Sequence, residues 1–93
     1  MAKPARAELI LPIVLEPVTG RERLEVRGRN VAEALESAFE QVPLLRHHLT
    51  EEGKLRAHVL CLHNGSNLDR DQLKKVAISD GDELVIHQAI SGG

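Results

Sequence analysis

The stretch Asp80-Gly81-Asp82-Glu83-Leu84-Val85-Ile86-His87-Gln88-Ala89-Ile90-Ser91-Gly92-Gly93 closes the chain and decides its reading. Asp-Gly-Asp is a turn, because aspartate and glycine tolerate the tight backbone a turn needs. Glu83 to Gln88 then alternates as a strand, with Leu84 and Ile86 on one face and Val85 and His87 on the other. Beyond the strand comes a tail of small residues ending in two glycines. Lacking Cβ atoms, Gly92 and Gly93 can pass through a channel too narrow for other residues. Fully extended, Ala89 to Gly93 reaches roughly 17 Å from the body. A terminal Gly-Gly is a weak signal alone and takes its weight from the segments that precede it.

Working backwards, Val59 to His63 is a second apolar strand, and it runs into Asn64-Gly65, a strong tight-turn dipeptide. Glu51 to Lys54 reads as a polar loop, and Gln72 to Ala77 as a helical turn. The spacing of Val31, Leu35, Ala38, Phe39 and Val42 places them on one face of a helix. Asn30 is its expected cap, with Glu33 completing a capping-box pattern, and Pro43 stops it. Leu44 to Leu49 reads as a short second helix or a turn. At the start, Glu8 to Leu15 is an apolar run interrupted by Pro12, and Arg21 to Val26 alternates; with Glu16 to Gly20 as a turn they form a hairpin.

The predicted class is therefore α+β, a mixed sheet packed on one main helix. If the first and last strands pair in parallel, the arrangement is the β-grasp. Phase alignment turns Val59, Cys61, Leu84 and Ile86 toward the helix and Leu60, Leu62, Val85 and His87 outward. An open sheet face normally carries polar residues, so three aliphatics there mark a partner surface. A register slip of one residue would exchange the two faces.

Composition narrows the function. Ninety-three residues predict a single domain over 1–93, with 89–93 as a flexible tail. Phe39 is the sole Phe, Trp or Tyr, so stacking on single-stranded nucleic acid has no platform. A net charge of −2 without a basic stripe argues against nucleic acid, and no stretch has the length of a membrane span. Neither a signal peptide nor a disulfide pair is visible, which predicts a cytoplasmic protein. The five histidines (His47, His48, His58, His63 and His87) lack a metal-ligand spacing, so no metal site is expected. Cys61 in an aliphatic strand reads as a small core residue rather than a nucleophile. Without a glycine-rich phosphate loop the chain is not expected to bind ATP.

Three segments together resemble the sulfur carriers of the ubiquitin-like β-grasp class. These include the small subunit of molybdopterin synthase, the thiamine-pathway carrier and the carrier for cysteine biosynthesis. Leu11 to Gly20 resembles the first strand and turn of the cysteine-type carriers, and Val59 to Gly65 the family's strand ending in Asn-Gly. Asp80 to Ile86 with the Gly92-Gly93 end is similar to its Asp-Gly-Asp-Glu-Val block and terminal diglycine. His63 departs from the pattern, standing where an aliphatic is usual, and Gln88 stands where many members have proline.

The resemblance implies a carrier that is not itself an enzyme and binds no cofactor. A ubiquitin-activating-type adenylating enzyme would use ATP to activate the Gly93 carboxylate, with Gly92 beside it. A sulfur donor would convert it to a thiocarboxylate, and a downstream enzyme would accept the sulfur, in cysteine biosynthesis first and in molybdopterin or thiamine chemistry otherwise. Partner contact falls to Leu60, Leu62, Val85, His87, Ile90 and Ser91, on a chain expected to be monomeric alone. A protein modifier joined to target lysines through Gly93, or a non-catalytic β-grasp interaction domain, is the alternative.

Overall fold

In the computed structural model, which describes residues 3–88, the first strand is β1, Ala5–Ile10. It starts three residues before the predicted Glu8 and ends before Pro12, not at Leu15. Proline cannot donate to a strand ladder, and its ring fixes φ. The chain accordingly leaves the sheet in a 3-10 turn, Ile13–Leu15, closed by the Leu15 N–H donating to the Pro12 carbonyl at 2.9 Å. A single-turn helix α1, Glu16–Thr19, comes next. The apolar run after Pro12 is thus helical, a correction to the predicted strand.

Strand β2, Arg23–Gly28, returns antiparallel to β1, with Ile10 opposite Arg23 and Ala5 opposite Gly28. Helix α2, Val31–Gln41, begins as predicted: the Asn30 side chain accepts from the Glu33 N–H at 2.8 Å. The reciprocal half of the capping box goes elsewhere. Glu33 Oε1 accepts from the Arg29 N–H at 2.9 Å, one residue before the cap, and its other oxygen holds the Arg29 guanidinium at 3.1 Å. Pro43 starts the next helix, α3, Pro43–Leu49, where its missing N–H costs nothing.

The predicted loop at Glu51–Lys54 is a small hairpin of β3, Thr50–Glu51, and β4, Lys54–Leu55. Glu52 and Gly53, at φ 53° and 80°, supply its left-handed turn. Strand β5, Val59–His63, ends at Asn64 and Gly65, with φ 48° and 88°, as the Asn-Gly pair dictates. That turn feeds a strand the sequence reading missed, β6, Ser66–Leu68. A 3-10 turn at Arg70–Gln72 leads into the helical turn expected at Gln72–Ala77, where the Val76 N–H donates to the Gln72 carbonyl at 3.2 Å. The last strand is β7, Asp82–Gln88.

The main sheet has five strands in the order β2-β1-β7-β5-β6. β1 and β7 run parallel, Ile10 opposite Val85, while the other neighbours are antiparallel. This is the β-grasp. Leu9, Leu24, Val26, Val59, Cys61, Leu84 and Ile86 bury the inner face against Val31, Ala34, Leu35, Ala38 and Phe39 of α2. On the outer edge of β2, Ser37 Oγ accepts from the Arg27 N–H at 3.2 Å, and Gln41 Nε2 donates to the Glu25 carbonyl at 2.7 Å. Gly28 sits where strand and helix nearly touch: a Cβ there would meet Ala34 N at 2.6 Å and Glu33 Cβ at 2.8 Å.

His63, the departure from the expected aliphatic, has a partner of its own. Its Nε2 lies 2.7 Å from Asp82 Oδ2, and both side chains are largely buried. Asp82 also accepts from the Ser79 N–H at 2.9 Å and from Asn64 Nδ2 at 3.1 Å. These bonds tie the β5–β6 turn to the start of β7. The His63 hydrogen bond, then the Ser79 N–H, hold the Asp82 carboxyl down to about 2. Since a carboxylate only accepts, the histidine donates.

This packing has measurable consequences at two positions. Gly28→Ala should cost about 1–3 kcal/mol of stability through overpacking against the first turn of α2, read by denaturant unfolding. Asp82→Asn should cost about 1–3 kcal/mol at neutral pH. A depressed folded-state pKa stabilises above the unfolded value and loses that stabilisation as pH falls through the folded one. The difference between wild type and Asp82→Asn should therefore shrink from about pH 4 downward to about 2, as unfolding curves across that range would show.

Candidate functional site

On the sheet face turned away from α2, one row crosses the strands in register: Arg23, Ile10, Val85, Leu62 and Asn67. The next row toward the end of β7 pairs Leu60 with His87. Leu60, Leu62 and Val85 are half-buried and His87 is exposed, while Val59, Cys61, Leu84 and Ile86 on the opposite phase are buried. The predicted faces are therefore the observed ones. Ile10 joins the outer apolar group, and sequence reasoning missed it. The signal was the parallel register of the two central strands, which sets Ile10 beside Val85.

The face is divided. Toward β2 it carries ion pairs, Arg23 with Glu8 and Arg6 with Glu25 at 4.0 Å. Such exposed pairs contribute little to stability but make that half well hydrated. Toward β5 and β7 it is aliphatic. A partner that dehydrates the second half gains from apolar burial without having to strip ions.

Gln88, the last described residue of β7, lies opposite Val59. The remaining predicted site residues, Ile90, Ser91, Gly92 and Gly93, lie outside the described residues. Gln88 is at the same end of the sheet as Ile10, so the apolar half of the outer face lies toward the start of the tail.

Other candidate chemistry does not assemble. Burial pushes the Cys61 thiol up to about 11, so it remains protonated at neutral pH and is no nucleophile. His63 lies on the same phase of β5 as Cys61, but its Nε2 is committed to Asp82. His47 and His48 meet edge to face at 5.5 Å on α3, with both side chains exposed. Among the described residues no three His, Cys, Asp or Glu side chains gather closely enough to hold a metal ion. No described helix is long and apolar enough to cross a membrane.

A groove of about 650 Å³ lies on the helix side, between α2, the β3–β4 hairpin and the turn around Arg70. Three of its charged residues are engaged internally: Glu33 with Arg29, Glu36 with Arg46, and Arg70 with the Leu55 carbonyl. Glu52, Lys54, Asp71 and Lys74 complete its charged lining.

Comparison with known proteins agrees with this geometry. The chain is similar to small archaeal modifier protein 1 from Methanosarcina acetivorans at 26% identity and a TM-score of 0.82, over 99% of this chain and 100% of that one. Small archaeal modifier protein 1 from Haloferax volcanii is 27% identical with a TM-score of 0.82, over 96% and 100% of the two chains. A chain of the Amycolatopsis orientalis BexX/CysO complex shares the fold, with a TM-score of 0.77 at 22% identity over 94% and 99%. No curated protein matches by sequence. The model of the ThiS family matches residues 11–93, from the end of β1 through to the diglycine. The chain belongs to the ThiS family.

Proposed function

We propose that the chain is a sulfur carrier whose working group is the Gly93 carboxylate. A carboxylate is inert toward sulfur nucleophiles until it acquires a leaving group. An adenylating partner supplies one: the Gly93 carboxylate attacks the α-phosphorus of ATP, pyrophosphate departs, and an acyl-adenylate forms. Sulfide sulfur from a donor attacks the acyl carbon, AMP leaves, and Gly93 carries a thiocarboxylate. Transfer of that sulfur to an acceptor, with water taking its place on carbon, restores the carboxylate. ATP is consumed by the partner and the carrier holds no cofactor.

The observation that carries this reading is the family match through to Gly93, on a β-grasp fold. The chain's own groups agree with a substrate role, since its one thiol is buried and protonated. Leu60, Leu62, Val85 and His87, joined by Ile10, are the surface that docks the partner while Ile90, Ser91 and Gly92 lie along its channel. The likeness of Leu11 to Gly20 to cysteine-type carriers makes a cysteine precursor the first acceptor to test, ahead of molybdopterin or thiamine precursors.

A second reading has an observation in its favour. Two similar chains at 26–27% identity are small archaeal modifier proteins. On that reading a lysine amine, in place of sulfide, attacks the activated Gly93, AMP leaves, and an isopeptide bond forms.

Incubation with ATP, sulfide and the host's adenylating enzyme, followed by intact mass measurement, separates the two. A carrier gains the mass of one sulfur in exchange for one oxygen, and the gain disappears when Gly93 is deleted. A modifier is activated without that gain and appears in higher-mass conjugates. Failure of both, with an active enzyme, overturns the proposal. Val85→Ser or Leu62→Ser should raise the carrier's KM for activation about tenfold while leaving the fold intact.

A further inference from the structure

Among the described residues, the large apolar side chains that stay most exposed are Ile13 at 73%, Val14 at 64% and Leu44 at 57%. None belongs to the outer face of the sheet. Ile13 and Val14 form the 3-10 turn that Pro12 imposes after β1. Leu44 stands in the first turn of α3, which packs against α1, and α1 continues directly from that 3-10 turn. The core makes no use of the three. It takes their neighbours Leu15 and Leu45 instead, at 4% and 0% exposure. Branched aliphatics left in water on adjoining elements mark a surface that something covers.

Strand register shows where that surface lies. β1 and β7 run parallel with Ile10 opposite Val85. Ile13 is three residues past Ile10, and Gln88 is three residues past Val85. Both strands therefore point toward the same end of the sheet, and the 3-10 turn lies at the end where β7 reaches Gln88. Five residues lie beyond Gln88, with a reach of roughly 17 Å. An active site that receives Gly93 must lie within that distance, and a protein body so close must cover this end of the domain.

Resting on the carrier reading above, we propose that Ile13, Val14 and Leu44 form an apolar collar. It seats the mouth of the adenylating partner's channel, a mouth lined with aliphatic or aromatic side chains. The collar is distinct from the outer face, which Val85 and Leu62 build on the sheet itself. The sheet face sets the partner's orientation, while the collar fixes its distance from Gln88. That distance decides which tail residue arrives at the ATP, because one residue of slip moves the terminus by about 3.4 Å.

The test uses two variants, the double Ile13→Ser/Val14→Ser and the single Leu44→Ser. High exposure at all three positions predicts unchanged melting and circular dichroism. ATP–pyrophosphate exchange by the host's adenylating enzyme is then measured against carrier concentration. The collar predicts a KM raised about tenfold or more for the double variant and severalfold for Leu44→Ser, with kcat changed by less than about twofold. Folded variants with wild-type KM, beside a wild type that is turned over normally, overturn the collar alone. A wild type that the enzyme does not activate overturns the carrier reading and the collar with it.

Discussion

Parallel pairing of β1 with β7 is the constraint on which the structure depends. Parallel strands cannot be joined by a tight turn, so everything between Leu11 and Gly81 is, in effect, one long connection between two adjacent strands. Placing the first and last strands at the centre leaves their flanks to be filled by β2 on one side and β5 with β6 on the other. Helix α2 must then cross the inner face and bury the side chains that the strands present. Leu9 and Leu84, paired across the parallel ladder, are both 0% exposed, the result expected of strands covered by a helix. The same pairing makes the last strand an interior one, flanked by β1 as far as Val85 and by β5 from Leu84 to Gln88.

Two local devices hold that centre in place. At one end, Pro12 ejects the chain from the ladder and obliges Ile13 to Thr19 to coil over the sheet's rim. At the other, Asp82 collects a histidine, an amide side chain and a backbone N–H, fixing where β7 begins. With its beginning pinned, the phase of β7 is settled, and so is the face on which Val85 and His87 stand. The polar cluster thus settles the register of the whole strand from its first residue.

Period and turn chemistry made the architecture legible. The alternation of Leu84, Val85, Ile86 and His87, the Asn64-Gly65 turn and the 3.6-residue spacing of Val31 to Phe39 each point to one structure, and each is observed. The end of the first strand was not legible in the same way. Ile13-Val14-Leu15 has strand composition, whereas one proline upstream outweighs three apolar residues. β6 and the β3–β4 hairpin escaped because strands of two or three residues carry no readable period. The outer apolar face was visible from strand phase. Ile10 was not, since its membership depends on the register between strands far apart in sequence. His63 looked like a flaw in an apolar strand because its partner, Asp82, is 19 residues away.

The side chains of Ser37 and Gln41 have a consequence for life at high concentration. A sheet edge with free N–H and carbonyl groups invites a strand from another molecule to continue it. Here the Arg27 N–H and the Glu25 carbonyl are already taken by side chains of the helix above them. The opposite edge, Ser66–Leu68, is only three residues long. Copies of this chain can thus crowd together, or meet proteins that expose strands of their own, without fusing into ribbons.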